Sequence, residues 1–363
     1  MPASPTSGKR YGRGKFEQAR TIVQRRLAPY HYPYPVELIA NRPAHPRDAA
    51  RLLAFDRKTD HTALDTFKHL ARYLPPRAVL VFNETKVIPA RLTLTRKSGG
   101  RVRILYLGRE RSVIHALADR ALREGEVLRH GRRRFLVLRR REQGYAFRPL
   151  FPMSVFDALL LREGEAPIPP YIKGTPLSRA ELKRQYQSVF AKTPGSIAAP
   201  TASLHFTRNL ITRLRRAGFD IEFLTLHVNI GTFLPLDEVA LRRGRLHSEQ
   251  YAIPPATMRR LNRARREGRP IIAVGTTVVR ALESVVNTRG LLTRRKGSTD
   301  LFIRPGYRFR FVSGIITNFH VPGSSLMMLV AAFVGRERLL HLYRRAIRER
   351  LRLFSFGDGM IVT

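Results

Sequence analysis

Residues 78–83 read AVLVFN, an apolar run closed by a single asparagine. A continuous apolar run this short marks a strand buried on both faces, the kind found inside a parallel sheet. A second such run, Ile271 to Val274, leads into Gly275-Thr276-Thr277 and then a helix expected from Val278 to Val286. Strand, glycine turn and helix start in succession belong to an α/β fold, and they aim backbone N–H groups at an anion or a ribose. Helices are also expected at Val36–Ala40, Arg47–Phe55, Leu64–Tyr73, Arg179–Ala191, Thr207–Ala217, Thr257–Glu267, Leu326–Val334 and Leu339–Leu351. Leu301–Ile303 and Arg308–Val312 read as strands.

After Pro89 the pattern changes. Arg101–Leu107, Ser112–Leu117, Glu126–Leu128, Arg134–Arg139 and Tyr145–Pro149 are short strand-like runs punctuated by glycine. Strands of that kind form a small barrel or sandwich. From Ala166 the α/β pattern returns, so the layout is an α/β domain interrupted by a β insert. Residues 1–28 read as a basic, flexible arm.

The chain has 363 residues, no cysteine and a net charge of +40, from 67 Lys and Arg against 27 Asp and Glu. The absence of cysteine excludes disulfides, thiolate chemistry and zinc–thiolate sites. The longest apolar run, Ser325 to Val334, is too short to span a bilayer. A charge this large repels itself unless a polyanion meets it, and RNA or DNA is the natural partner. An anionic membrane surface and arginine drift in a high-GC genome are the alternatives. The clusters around Arg132, Arg133, Arg134, Arg139 and Arg141, and around Arg215 and Arg216, read either as solvated turns and faces or as phosphate contacts.

Residues 194–207, PGSIAAPTASLHFT, carry almost no charge. Proline and small residues there make a shaped loop that a ligand can approach closely. His205 near its end offers an imidazole, a group type that titrates near neutrality. Further polar loops hold His227, His247-Ser248-Glu249, Gly275-Thr276-Thr277 with Arg280, and Asn318-Phe319-His320. Each lone histidine has a structural reading as a satisfied core imidazole. Several polar loops at strand ends in one α/β domain point to one cleft. No histidine spacing suggests a metal site, and neither a P-loop nor GxGxxG is present.

The chain resembles the S-adenosylmethionine:tRNA ribosyltransferase-isomerases of queuosine biosynthesis. The resemblance runs from about Tyr32 onward and rests on PVELIANRP, LVFNETKVIPARL, PIPPYIKG, YQSVFAKTPGSIAAPTASLHFT, LHVNIGTFLP, LHSEQY, IAVGTTVVRALES, TNFHVPGSSLMMLVAAFVG and FSFGDGMIV. It implies an α/β domain, 29–90 with 166–363, and an inserted β-barrel over 91–165. It implies transfer and isomerisation of the ribosyl part of S-adenosylmethionine onto 7-aminomethyl-7-deazaguanine at the tRNA wobble position, giving epoxyqueuosine-tRNA. His205, His227, His247, Glu249 and His320 match motif positions and become the catalytic candidates. Thr201, Gly275, Thr276, Thr277 and Arg280 become contacts to S-adenosylmethionine. The tRNA anticodon stem-loop or another structured RNA as partner, no metal, a cytoplasmic location, a monomer in preference to an oligomer and no membrane contact complete the expectation. The resemblance also implies other residues at Pro33, Arg184, Ser203, Asn229, Gly244 and Ser313. Those departures sustain a second reading: a degenerate relative kept as an RNA-binding or ribonucleoprotein component.

Overall fold

The computed structural model describes residues 23, 25–229, 231, 236 and 238–363. Most of the arm read at 1–28, and the stretch after Asn229 at 230, 232–235 and 237, lie outside the described residues. Chain order begins with β1 (Arg51–Phe55), β2 (Thr62–Thr66), β3 (Val79–Asn83) and β4 (Thr85–Val87). Every residue of β3 is buried, as its apolar run requires.

Six strands follow: β5 (Arg91–Thr95), β6 (Arg101–Glu110), β7 (Val113–Ala118), β8 (Val127–His130), β9 (Arg133–Arg140) and β10 (Tyr145–Pro149). They close into an antiparallel barrel in the order β10-β7-β6-β5-β8-β9. Alternation puts Leu92, Leu94, Val102, Ile104, Phe135 and Phe147 inside. Helix α1 (Met153–Glu163) adds Phe156, Leu159 and Leu160 to that core. Where the chain leaves and returns, Arg91 and Glu165 exchange backbone hydrogen bonds of 3.2 and 2.8 Å.

The remainder runs α2 (Arg179–Gln185), β11 (Thr193–Ser196), α3 (Arg208–Arg216), β12 (Asp220–Leu226), α4 (Glu238–Arg243), β13 (Arg245–Ala252), α5 (Pro255–Arg266) and β14 (Ile271–Val274). It closes with α6 (Thr276–Glu283), β15 (Lys296–Leu301), β16 (Gly314–Asn318), α7 (Ser325–Val334), α8 (Arg336–Arg348) and β17 (Gly359–Val362). Among the described residues, nine strands form one sheet in the order β15-β13-β12-β3-β14-β16-β17-β1-β2. Strands β12, β3, β14 and β16 are mutually parallel. One apolar cluster covers each face of this sheet, so the fold is mixed α/β with an inserted closed barrel. No described helix is long and apolar enough to cross a membrane.

Three helical expectations give way to pairing. Arg47–Phe55 is a 3-10 turn at Arg47–Ala49 followed by β1, because Leu52 to Phe55 pair in parallel with β17 and antiparallel with β2. Leu64–Tyr73 begins inside β2, where Leu64 lies opposite Leu53, and continues as 3-10 helix from Phe67. Val36–Ala40 is a 3-10 turn, Val36–Leu38, with Ile39 bridging Leu353. In each case a sheet partner overrides local propensity. The loop read at 194–207 contains the end of β11 and a 3-10 turn, Thr201–His205.

Arg308–Val312 is not a strand either. The carboxylate of Glu283, 1 % exposed, holds that segment from within. It accepts hydrogen bonds from the backbone N–H groups of Phe311 and Val312 at 2.9 Å and of Arg310 at 3.0 Å, and from Tyr307 Oη at 3.1 Å. Several donors spent on one side chain leave no ladder for a strand to use. Glu283→Ala strands those buried donors, and the expected loss is about 3 kcal/mol in denaturant titration. A loss below about 1 kcal/mol would mean that the segment holds itself.

Candidate active site

A cavity of about 460 Å³ opens beside the carboxyl end of β16, within the range of small-molecule sites. Its walls are mainly apolar, with Tyr171, Ile303 and Leu329 among them; its histidines and charged groups are His31, His247, Glu249 and Arg280, and Ser324 and Ser325 add hydroxyls. Glu249 points inward from β13 because alternation buries it together with Tyr251. Arg280 reaches it from the middle of α6, and their oxygen and nitrogen are in close contact. Both side chains are buried, at 4 and 7 % exposed.

This pair is fully engaged. Arg280 Nε donates to the Leu301 carbonyl at 3.0 Å and Nη2 to the Thr299 carbonyl at 3.3 Å. The second oxygen of Glu249 accepts from the Asn229 backbone N–H at 3.1 Å. Because a backbone group serves there, the departure at Asn229 does not disturb the pair.

His247 stands differently. The β13–β15 register shifts between Arg245 and Glu249, so His247 sits on a bulged stretch, a device that re-aims side chains. A Cβ at Gly231 would lie 3.2 Å from the His247 ring. From the barrel, the Gln143 amide nitrogen approaches the ring nitrogens at 3.4 and 3.5 Å, longer than an ordinary hydrogen bond. His31 faces the same cavity, packed against Gly323, where any Cβ would come within 2.7 Å of its Nε2. Gly323 has φ +66°, which glycine adopts without strain.

The other candidates lie elsewhere. His227 lines a separate, open groove with Thr225, Gln250 and Lys296. Its Nδ1 is 2.8 Å from Thr85 Oγ1, and burial pulls its pKa down. Gly195 (φ +146°) lies so close that a Cβ would meet that ring at 2.8 Å. His320 is buried: Thr317 Oγ1 is 2.8 Å from its Nε2, Tyr343 Oη accepts from its backbone N–H at 2.8 Å, and Tyr32 Oη donates to its carbonyl at 2.5 Å. It latches the end of β16, just ahead of the cavity-lining Val321–Ser325. His205, the last residue of the 3-10 turn, is stacked on Phe67 with ring centroids 4.2 Å apart. Its Nε2 makes no hydrogen bond among the described residues, and neither does the buried Ser203 hydroxyl.

The turn Thr201–His205 also covers the start of α6. A Cβ on Gly275 (φ +97°) would sit 3.8 Å from Ala202, and Thr277 Oγ1 accepts from Asn83 at 3.3 Å. Of the residues read from sequence, the cavity therefore brings together His247, Glu249 and Arg280. Thr201, Gly275, Thr276, Thr277, His205, His227 and His320 are not among its walls. His31 was missed; its one signal was a histidine between the tyrosines of an extended segment. Among the described residues no group of His, Asp and Glu is placed to hold a metal ion.

The basic candidates are on the surface or bonded locally. Arg134 and Arg139 are exposed on β9, Arg132 is exposed in the β8–β9 turn, and Arg133 is 3.8 Å from Glu163. Arg141 reaches the His115 ring at 2.9 Å. Arg215 and Arg216 are exposed in the last turn of α3.

Burial pulls the pKa of His205 and of His320 to about 4, with Asp358 opposing the shift at His205. An unfolded imidazole takes its proton near pH 6.5, so between there and pH 4 the unfolded chain binds more protons than the folded one. Stability is therefore complete above pH 6.5 and falls toward pH 4, by up to ~1.4 kcal/mol per pH unit for each group. His205→Gln should flatten this acid slope by about one proton in denaturant titrations run across that window. An unchanged slope would show that His205 is already protonated in the fold.

The profile of the family described as queuosine biosynthesis protein matches residues 27–362. A protein of Carboxydothermus hydrogenoformans named S-adenosylmethionine:tRNA ribosyltransferase-isomerase is 43 % identical, covering 93 % of this chain and 99 % of its own. Its namesake in Rubrobacter xylanophilus is 46 % identical over 91 % of this chain and 96 % of its own. The crystal structure of an S-adenosylmethionine tRNA ribosyltransferase from Thermotoga maritima superposes with a TM-score of 0.53 at 32 % identity, covering 92 % of this chain and all of that one. Matches of this length leave no segment of the fold unaccounted for between Leu27 and Val362, and the chain belongs to the queuosine biosynthesis protein family.

Proposed function

We propose that this chain is an S-adenosylmethionine-dependent tRNA ribosyltransferase-isomerase. It moves the ribosyl part of S-adenosylmethionine onto the aminomethyl group of 7-aminomethyl-7-deazaguanine at the tRNA wobble position and isomerises it. Epoxyqueuosine-tRNA forms, and adenine and methionine leave. The observation that carries this reading is the apolar cavity in which His247, Glu249 and Arg280 meet.

The reaction needs protons moved in three places. One leaves the carbon beside the sulfonium, one reaches departing adenine, and one leaves the attacking amine. Both oxygens of Glu249 are occupied, by Arg280 and by the Asn229 N–H, which suits a group that positions rather than one that shuttles protons. His247 and His31 remain as the proton carriers facing the cavity. Among the described residues His247 has only long polar contacts, so its nitrogens can turn to a substrate. Tyr171 supplies an aromatic surface of the kind that attracts a sulfonium cation. The degenerate-relative reading is not favoured, because the departures at Ser203 and Asn229 leave this group of side chains intact.

The test is adenine release. Purified protein given S-adenosylmethionine and tRNA bearing the aminomethyl base should produce adenine above a boiled control, and none would overturn the function. His247→Ala should slow release by roughly 10²-fold or more while RNA affinity stays nearly constant. If release is slowed less than about twofold, His247 does not move the protons.

A further inference from the structure

The parallel strands β12, β3, β14 and β16 begin at one end of the sheet, opposite the cavity. The segments leading into them are tied together. Arg269 pairs with Asp220 at 2.6 Å and donates to the Arg77 carbonyl at 2.9 Å. The Val79 N–H donates to the Pro270 carbonyl at 2.9 Å. Arg265 donates to the Arg310 carbonyl at 3.0 Å, and a Cβ at Gly290 would lie 3.7 Å from both groups. Helices α3 and α5 end at this same edge, in Arg215-Arg216 and Arg265-Arg266.

The result is a plate of arginines. The acids at this edge are already matched, Asp220 by Arg269 and Glu267 by Arg77 at 3.8 Å. Arg215, Arg216, Arg266, Arg289 and Arg308 are exposed and make no ion pair among the described residues. Cations in the last turn of a helix complement its dipole, which accounts for Arg215, Arg216 and Arg266. It does not account for Arg289 and Arg308, which lie in loops. Like charges gathered without counter-charge repel one another unless a polyanion joins them. β12 is seven residues long, so the plate stands about 20 Å from the strand ends at the cavity.

We propose that this plate is a second RNA-contact face, gripping the phosphate backbone of helical RNA at a place remote from the cavity. Guanidinium forks match phosphate oxygens, and contacts of this kind carry affinity without sequence preference. The inference rests on the proposed function only for RNA as the class of partner.

The test uses the full chain carrying Arg266→Glu, Arg289→Glu and Arg308→Glu, with a labelled plain RNA duplex of about two helical turns as probe. Binding should weaken at least tenfold at low salt, and the slope of log affinity against log salt should become shallower by about 3. Adenine release from a saturating anticodon hairpin bearing the aminomethyl base should not change. Unaltered duplex binding overturns the proposal. Hairpin turnover falling in step with duplex binding overturns it too, since the plate would then belong to the footprint of the cavity. If the unsubstituted protein releases no adenine, the proposed function fails while the duplex comparison still decides the plate. Should the glutamate variant melt early, Arg266→Gln, Arg289→Gln and Arg308→Gln carry the same comparison.

Discussion

One short helix, α6, carries two buried charges on which much of the surrounding structure depends. Arg280 and Glu283 are three residues apart, and each is matched by a different part of the chain. Arg280 turns to Glu249 and to two carbonyls of the edge strand β15. Glu283 turns to the backbone of Arg310, Phe311 and Val312. Removing ions from water is costly, and burial is tolerated only where every oxygen and N–H finds a partner. Here the partners are largely backbone groups, so the helix sets the path of an edge strand and of one irregular segment, and with them the position of the cavity wall.

The imidazoles show the reverse economy. His205 and His320 are shielded so thoroughly that burial holds them neutral; the first stacks on Phe67, and the second faces the Thr317 hydroxyl while two tyrosines bond its backbone. His247 and His31 keep a face toward open space. Four histidines that look alike as letters thus divide into two that support the fold and two that are available to a ligand, and burial alone makes the division.

Much of the architecture was legible because it depends on short-range pattern. AVLVFN declared a central strand, and the glycine-punctuated runs after Pro89 declared a β insert. RLLAF was misread because alanine, leucine and arginine favour helix, and its partners β17 and β2 cannot be seen locally. Arg308–Val312 was misread because its hydrogen bonds go to a carboxylate elsewhere in the chain. Of the residues lining the cavity, Glu249, Arg280 and His247 were legible through their motifs. His31 was not, since only the close approach of Gly323 brings it to the cavity. The separation of His227 from Glu249 follows from the strand pairing, which directs them to different hollows.

The bridge between Arg91 and Glu165 has a consequence for how such a fold can change. The chain departs into the barrel and comes back at adjacent points, already paired to each other. The parent sheet therefore bears little loop-closure entropy for the excursion, whatever its length. The barrel is in effect a cassette clipped onto a closed frame: it can be lengthened, reshaped or recoded on its outer face without reopening the sheet. The parts of it that touch the rest of the molecule, Leu105 packed with Ile197 and the tip at Gln143 beside the His247 ring, are what such changes must keep.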